Sequence, residues 1–355
     1  MTPAPGSTTA TSAGATTARP SLFDRRLIVV GGKGGVGRTT IACALALSAS
    51  RRGKRVLLAQ TKSKDRLPRL FSVTANHSFA EVQPVDTNLW AVNMTPEAAL
   101  REYGSMVLRS TFLFRQVFER DVVRAFLRAI PGLYDYSMLG KVWYHTTETL
   151  GSKPRYDLIV LDGPATGHAL TLLTLPKVIC DTVPEGPLTG PARECLQLLT
   201  DPARTLAVLV TLAEDLPVAE TVQLAAGLRR LGIHLGPIVV NRLYPPRFKS
   251  GVNALAIGEL LAHLLPSSPA APLQPTAAPS SVDPVLTAVL QSARLQRQRS
   301  ALNEHYIKAL QTALPQPQLH APYIFTAEFA RAAVEALADR LGEQLDAQPA
   351  PSHTP

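Results

Sequence analysis

At 355 residues the chain is long enough to bury a large core, and 46% hydrophobic against 18% charged residues marks it as globular rather than disordered. Apolar runs such as Leu158–Leu161 and Leu206–Val210 fall far short of the ~18 residues a spanning helix needs, so a soluble, cytoplasmic protein is expected. The net charge of +9 invites an anionic partner, but the basic residues are scattered over Arg25–Arg26, Arg51–Arg55, Lys62–Arg69 and Arg294–Arg299 without interleaved aromatics, which argues for a solvated face and against nucleic acid.

Residues 1–22 are rich in Ser, Thr, Ala and Pro and lack the basic start and apolar middle of a signal peptide, so a disordered tail is expected ahead of a domain over 23–345. Leu27–Val30 reads as a strand, followed by a glycine-rich loop, a helix over Thr39–Ser50 and a second strand at Arg55–Ala59. Residues 96–150 change to helical spacing, with Leu100, Tyr103, Val107 and Leu108, then Val117, Phe118, Val122, Phe126 and Ile130, recurring at three and four. Pro131-Gly132 separates these from a further helix around Leu139–Tyr144. Leu158–Asp162 is a buried-type strand leading through a loop into a Leu-rich helix. Strands at Leu206–Thr211 and Ile238–Val240 flank a helix over Val218–Leu231, and Pro266–Pro284 is a low-complexity linker. Helices over Val285–Leu314 and Glu328–Leu345 precede a frayed tail at 346–355. The alternation predicts an α/β fold, a mostly parallel sheet covered by helices on both faces, with an α-helical insertion.

The loop Gly31–Thr40 (GGKGGVGRTT) sits between strand and helix, where the backbone N–H groups of Gly34, Gly35, Val36 and Gly37 can turn inward onto phosphate oxygens at a helix N-terminus. The same letters contain G-x-G-x-x-G at Gly32, Gly34 and Gly37, the dinucleotide fingerprint. Two features decide for a nucleoside triphosphate. Arg38-Thr39-Thr40 supplies a cation for the β/γ-phosphates and a hydroxyl for Mg²⁺. The next strand ends in Gln60-Thr61-Lys62, where a dinucleotide site needs an acid. Asp162, an ordinary strand-end residue if taken alone, becomes with this loop a Walker B carboxylate that would hold Mg²⁺ together with Thr39. The expected cofactors are ATP and Mg²⁺, with Lys33, Arg38 and Asp162 as the catalytic set.

GGKGGVGRTT resembles the deviant Walker A of SIMIBI-class P-loop NTPases, and DGPATGHALTLLTLP at Asp162–Pro176 is similar to switch II of the ArsA family, which includes the arsenite-pump ATPase and the Get-pathway ATPase that targets tail-anchored proteins. Thr95–Tyr103, Pro131–Trp143, Glu214–Thr221 and Val240–Leu243 resemble family segments in the same order. The resemblance implies an ATP-hydrolysing dimeric switch in which Lys33 reaches the phosphates of the opposite subunit. It implies that Asn241 reads the adenine edge, that Glu214 contacts nucleotide and that Pro322-Tyr323 lie near the base. It also implies a homodimer or a heterodimer of paralogues, serving a membrane-protein client or a transport partner.

The sequence departs from that pattern in three places. Arg38 replaces the usual loop lysine, a planar fork in place of a point charge. Lys62 stands where switch I carries a water-positioning aspartate, with Asp65 three residues on, so ATP binding is expected more firmly than turnover; a non-hydrolysing partner subunit is the alternative. Cys43, Cys180 and Cys195 reproduce neither a CxxC zinc site nor an arsenite site, and neither is expected. A MinD/ParA-like positioning role is disfavoured because the last helix has mixed charge and no basic amphipathic face. The apolar run Ser105–Ile130 suits a client groove, although an ordinary helix pair packed on its own domain would bury the same residues and is favoured. His168 is expected to orient switch II through a hydrogen bond, and His145 to be a surface or core residue.

Overall fold

The computed structural model describes residues 21–61, 66–73, 79–107, 133–185, 189–245 and 284–347. Lys62, Asp65, the linker at 266–283 and most of the 105–130 run fall outside them. A 3-10 turn at Leu22–Asp24 places Leu22 and Phe23 in the core. There follow β1 (Leu27–Gly32), α1 (Arg38–Arg51), β2 (Val56–Thr61), α2 (Leu67–Phe71), β3 (Gln83–Asp86), β4 (Leu89–Met94), α3 (Pro96–Val107) and α4 (Leu133–Thr147). A two-residue hairpin, β5 (Thr149–Leu150) and β6 (Lys153–Pro154), leads to β7 (Leu158–Asp162), α5 (Thr166–Thr182), α6 (Thr189–Thr200) and β8 (Thr205–Leu212). The described chain ends with α7 (Asp215–Arg230), β9 (Leu235–Leu243), α8 (Pro284–Ala313), β10 (Gln318–Pro322) and α9 (Arg331–Ala347).

Eight strands form one sheet in the order β10-β9-β8-β1-β7-β2-β4-β3. Every neighbouring pair is parallel except the β3–β4 edge, which is antiparallel. Both edge strands carry a proline, Pro84 and Pro322, where a missing N–H leaves no central ladder bond unmade.

The central strands are apolar on both faces because each face meets helices. Leu27, Val29, Ile159, Leu161, Ala207 and Leu209 pack into one core with Leu139 and Val142 of α4, Leu172 of α5, Leu198 of α6 and Leu224 of α7. Their alternates Ile28, Val30, Leu158, Val160, Val208 and Val210 pack into the other with Ile41 and Leu45 of α1 and Val334 and Leu341 of α9. Helix α1 is buried from Ile41 through Ser50, because the sheet covers one side and α9 the other. Strands β3, β4 and β10 and the β5–β6 hairpin were not expected from sequence: β3, β6 and β10 each contain a proline, and β4 mixes Asn93 into its apolar run.

Arg26 locks the lower rim of the sheet. Its guanidinium donates to the carbonyls of Tyr156 (2.7 Å), Asp157 (2.9 Å) and Thr146 (2.5 Å), tying α4 and the start of β7 to β1. Arg26→Met leaves these acceptors without their donor and should cost about 2–3 kcal/mol in a urea melt. The opposite rim, where parallel strands β1, β2, β7 and β9 end together, is where open α/β sheets receive ligands, and it should keep its geometry in that variant.

Candidate functional site

Strand β1 ends in glycines because the chain must turn beside a neighbouring strand. Gly32 has φ +150°, and a Cβ there would stand 2.3 Å from the Val210 carbonyl oxygen. The loop ends at Gly37, the N-cap of α1, at φ +95°. Gly37 offers no capping side chain and the first turn of α1 holds no acid, so its leading N–H groups and partial positive charge are left for an external anion. Helix α5 starts the same way, with Ala165 as an N-cap that makes no side-chain bond. Both helix starts border one cavity of about 620 Å³, lined among others by Gly35, Gly37–Thr40, Asp162–Ala165 and His168.

Asp162 closes β7 at the back of this cavity and is 4% exposed. The Thr39 hydroxyl donates to its Oδ2 at 2.7 Å, and the Gln60 amide donates to the same oxygen at 2.9 Å. Gln60 and Asp162 are register partners across β2 and β7. Burial pushes the Asp162 carboxyl above its ordinary value, opposed by the Thr39 bond, the Arg38 charge and the Gln60 amide. Gln60 Oε1 is buried with no partner. A carboxylate and a hydroxyl on the cavity wall are hard oxygen donors of the kind Mg²⁺ takes, so Asp162 and Thr39 fit that ion. Arg38 turns toward the same segment and donates to the Gly163 carbonyl at 2.5 Å.

Asn241, at the end of β9, closes the other side of the loop. Its Nδ2 donates to the Val36 carbonyl at 2.8 Å and its Oδ1 accepts from the Arg242 N–H at 2.9 Å. A second cavity of about 620 Å³ opens beyond it, shared with Gly37, Thr39, Thr40, Arg66 and Arg242 and walled by Leu70, Pro322, Tyr323, Ile324 and Phe329. This flat, partly aromatic wall suits a planar ring.

Of the residues singled out from sequence, Gly35, Gly37, Arg38, Thr39, Thr40 and Asp162 line the first cavity, and Asn241 and Pro322 the second. Gly34 and Val36 belong to the loop but line neither, and Glu214 is an exposed N-cap of α7 that also lines neither. Lys33 lines neither cavity; its ammonium pairs with Glu220 of α7 at 3.1 Å. With both side chains more than a quarter exposed, the pair is worth at most about 1 kcal/mol and yields readily to a phosphate. His168 is exposed and has no hydrogen-bond partner among the described residues, which corrects the expected orienting bond. His145 is a core residue, 4% exposed, with Nδ1 2.6 Å from Glu148 Oε2. Cys43 and Cys195 are buried, and burial pushes both thiols up. Among the described residues no group of three or more His, Cys, Asp or Glu is placed to hold a metal, and no helix is long and apolar enough to cross a membrane.

Sequence reasoning missed Gln60, Glu220, Arg66, Asp135 and Arg242. Asp135 reaches the first cavity from α4, and the two arginines border both. They sit on separate strands and helices that only the tertiary fold brings near the loop, so no local pattern announces them.

The model of the family described as Anion-transporting ATPase matches residues 25–185 and 191–256. ATPase BagA of Mycobacterium tuberculosis is 32% identical over 244 residues, covering 67% of this chain and 71% of that protein. The arsenical pump-driving ATPase of Escherichia coli is 29% identical over 229 residues, 60% of this chain but 39% of that protein, so the chain matches well under half its length. ATPase GET3 of Kluyveromyces lactis is 26% identical over 260 residues, covering 64% and 74% of the two. The sheet order, the glycine loop over an uncapped helix and these matches agree: the chain belongs to the anion-transporting ATPase, or ArsA, family.

Proposed function

We propose that the protein is an ATP-binding and ATP-hydrolysing dimeric switch of the ArsA type, whose nucleotide state sets whether a partner, a membrane-protein client or a transport component, is held. The observation that carries this reading is the Thr39–Asp162 contact, 2.7 Å, beneath a glycine loop that opens an uncapped helix. In this reading the N–H groups of Gly34–Gly37 and the start of α1 hold phosphate oxygens, and Thr39 and Asp162 hold Mg²⁺. The bound ion would neutralise charge developing between the β- and γ-phosphates. Arg38 links the loop to the segment after β7 through Gly163, so a change at the phosphates is passed to α5. Lys33 exchanges Glu220 for phosphate, and the second cavity takes the adenine, with Asn241 and Pro322 beside it. Glu214 lies outside both cavities of one chain, which leaves it to a partner subunit.

A second reading, a non-hydrolysing ATP-binding subunit, is favoured by one feature: the Arg38 guanidinium is already engaged by a backbone carbonyl. Steady-state ATP turnover, ATP affinity and ATP-dependent mass by light scattering distinguish the two. The switch reading expects turnover above background and a doubling of mass with ATP and Mg²⁺. ATP binding with turnover no greater than that of Asp162→Ala would establish the second reading instead.

A further inference from the structure

We propose that Arg242, with Arg66 on the border of the same two cavities, is a nucleotide-binding residue that clamps the phosphate chain at its α/β end, where the phosphate cavity meets the cavity for the base; this rests on the ATP reading of the site. Both arginines line both cavities. Arg242 lies in β9 near its end and Arg66 is the N-cap of α2, the helix that follows β2; in the sheet β9 and β2 lie on opposite sides of β1. Both side chains are exposed, and neither guanidinium has a hydrogen-bond or ion-pair partner among the described residues.

Charge and backbone argue the same way. Among the described residues, the second cavity is bordered by Arg66, Arg69 and Arg242 and by no carboxylate. Arg242 adopts φ +57°, the left-handed region, which is strained for any residue with a Cβ. No hydrogen bond or ion pair of its side chain among the described residues compensates for that strain. What holds the backbone there is Asn241, whose Oδ1 takes the Arg242 N–H while its Nδ2 holds the Val36 carbonyl. One side chain therefore fixes the position of Arg242 relative to the phosphate loop. A guanidinium so placed offers a planar pair of donors that matches two phosphate oxygens.

The test is calorimetric titration of Mg·ATP and Mg·ADP into the full chain and into Arg242→Ala, Arg242→Lys, Arg242→Gly and Arg66→Ala. Arg242→Ala and Arg66→Ala should each weaken ATP and ADP alike, by about tenfold or more, and Arg242→Lys should recover part of the loss. Arg242→Gly should bind as weakly as Arg242→Ala while melting no lower than wild type without nucleotide, because glycine is at ease at that φ. Wild-type affinities in Arg242→Ala, a loss confined to ATP, or a loss that tracks a fall in melting temperature in all three Arg242 variants would each overturn the proposal. If the wild-type chain itself binds no ATP, the reading of the site falls first and this inference with it.

Discussion

Replacing Asp162 by alanine should lower ATP turnover by about 10²–10³-fold, the scale of losing one group aimed at charge in a transition state. The same change should also destabilise the nucleotide-free protein by about 1–3 kcal/mol, because the Thr39 hydroxyl and the Gln60 amide lose their shared acceptor inside the core. Asp162→Asn separates the two effects. It keeps an oxygen for Thr39 but removes the negative charge, so turnover should fall as far while the fold is at least as stable as wild type. The pH dependence follows from burial, which raises the folded-state value of this carboxyl above 3.8. Between the ordinary and the raised value the native state holds the extra proton, so wild type loses stability as pH rises through that window and Asp162→Asn does not. Urea melts of both proteins without nucleotide from pH 4 upward would show curves that diverge with rising pH. Parallel curves would mean that burial of the charge is relieved some other way.

Gly37→Ala should damage the site from within the loop, through Asn241. The new Cβ would stand 2.3 Å from Asn241 Nδ2, at a φ of +95° that alone costs about 1–3 kcal/mol. Asn241 has to move, and with it go the bond to Val36 and the anchor for Arg242. ATP affinity should therefore fall by more than the melting temperature implies. Gly34→Ala is the control: a Cβ there meets nothing within 4 Å and the residue has no positive φ. It should fold like wild type and lose binding only through crowding of the phosphate. Equal melting temperatures and equal ATP affinities for the two variants would remove Asn241 from the account of the loop.

Much of this was legible in the sequence because it is local. The run LIVLD reads as a strand from composition alone and spans Leu158–Asp162 in the structure. The glycine loop, its hydroxyl at Thr39 and the following helix occupy one stretch of chain, and their order states the chemistry. The helix over Val218–Leu231 and the strand at Leu206–Thr211 differ from Asp215–Arg230 and Thr205–Leu212 by a few residues, since cap residues carry no periodic signal. Strands β4 and β10 escaped notice for the converse reason: LWAVNM and QLHAP mix polar residues or proline into their apolar positions, and only pairing with β2 and β9 makes them strands.

By itself the sequence determined the family, the α/β class, and a phosphate loop followed by a carboxylate at the end of a strand, because hydrophobic period and contiguous motif are written along the chain. It could not place Gln60 against Asp162, turn Lys33 onto Glu220, free the His168 ring from a bonding role, or bring Arg66 and Arg242 to one cavity. Those relations depend on which strands lie side by side, β2 next to β7 and β9 across from both. A sheet order is decided by the packing of whole layers, in which residues far apart in the chain become neighbours, and no stretch of sequence carries it alone.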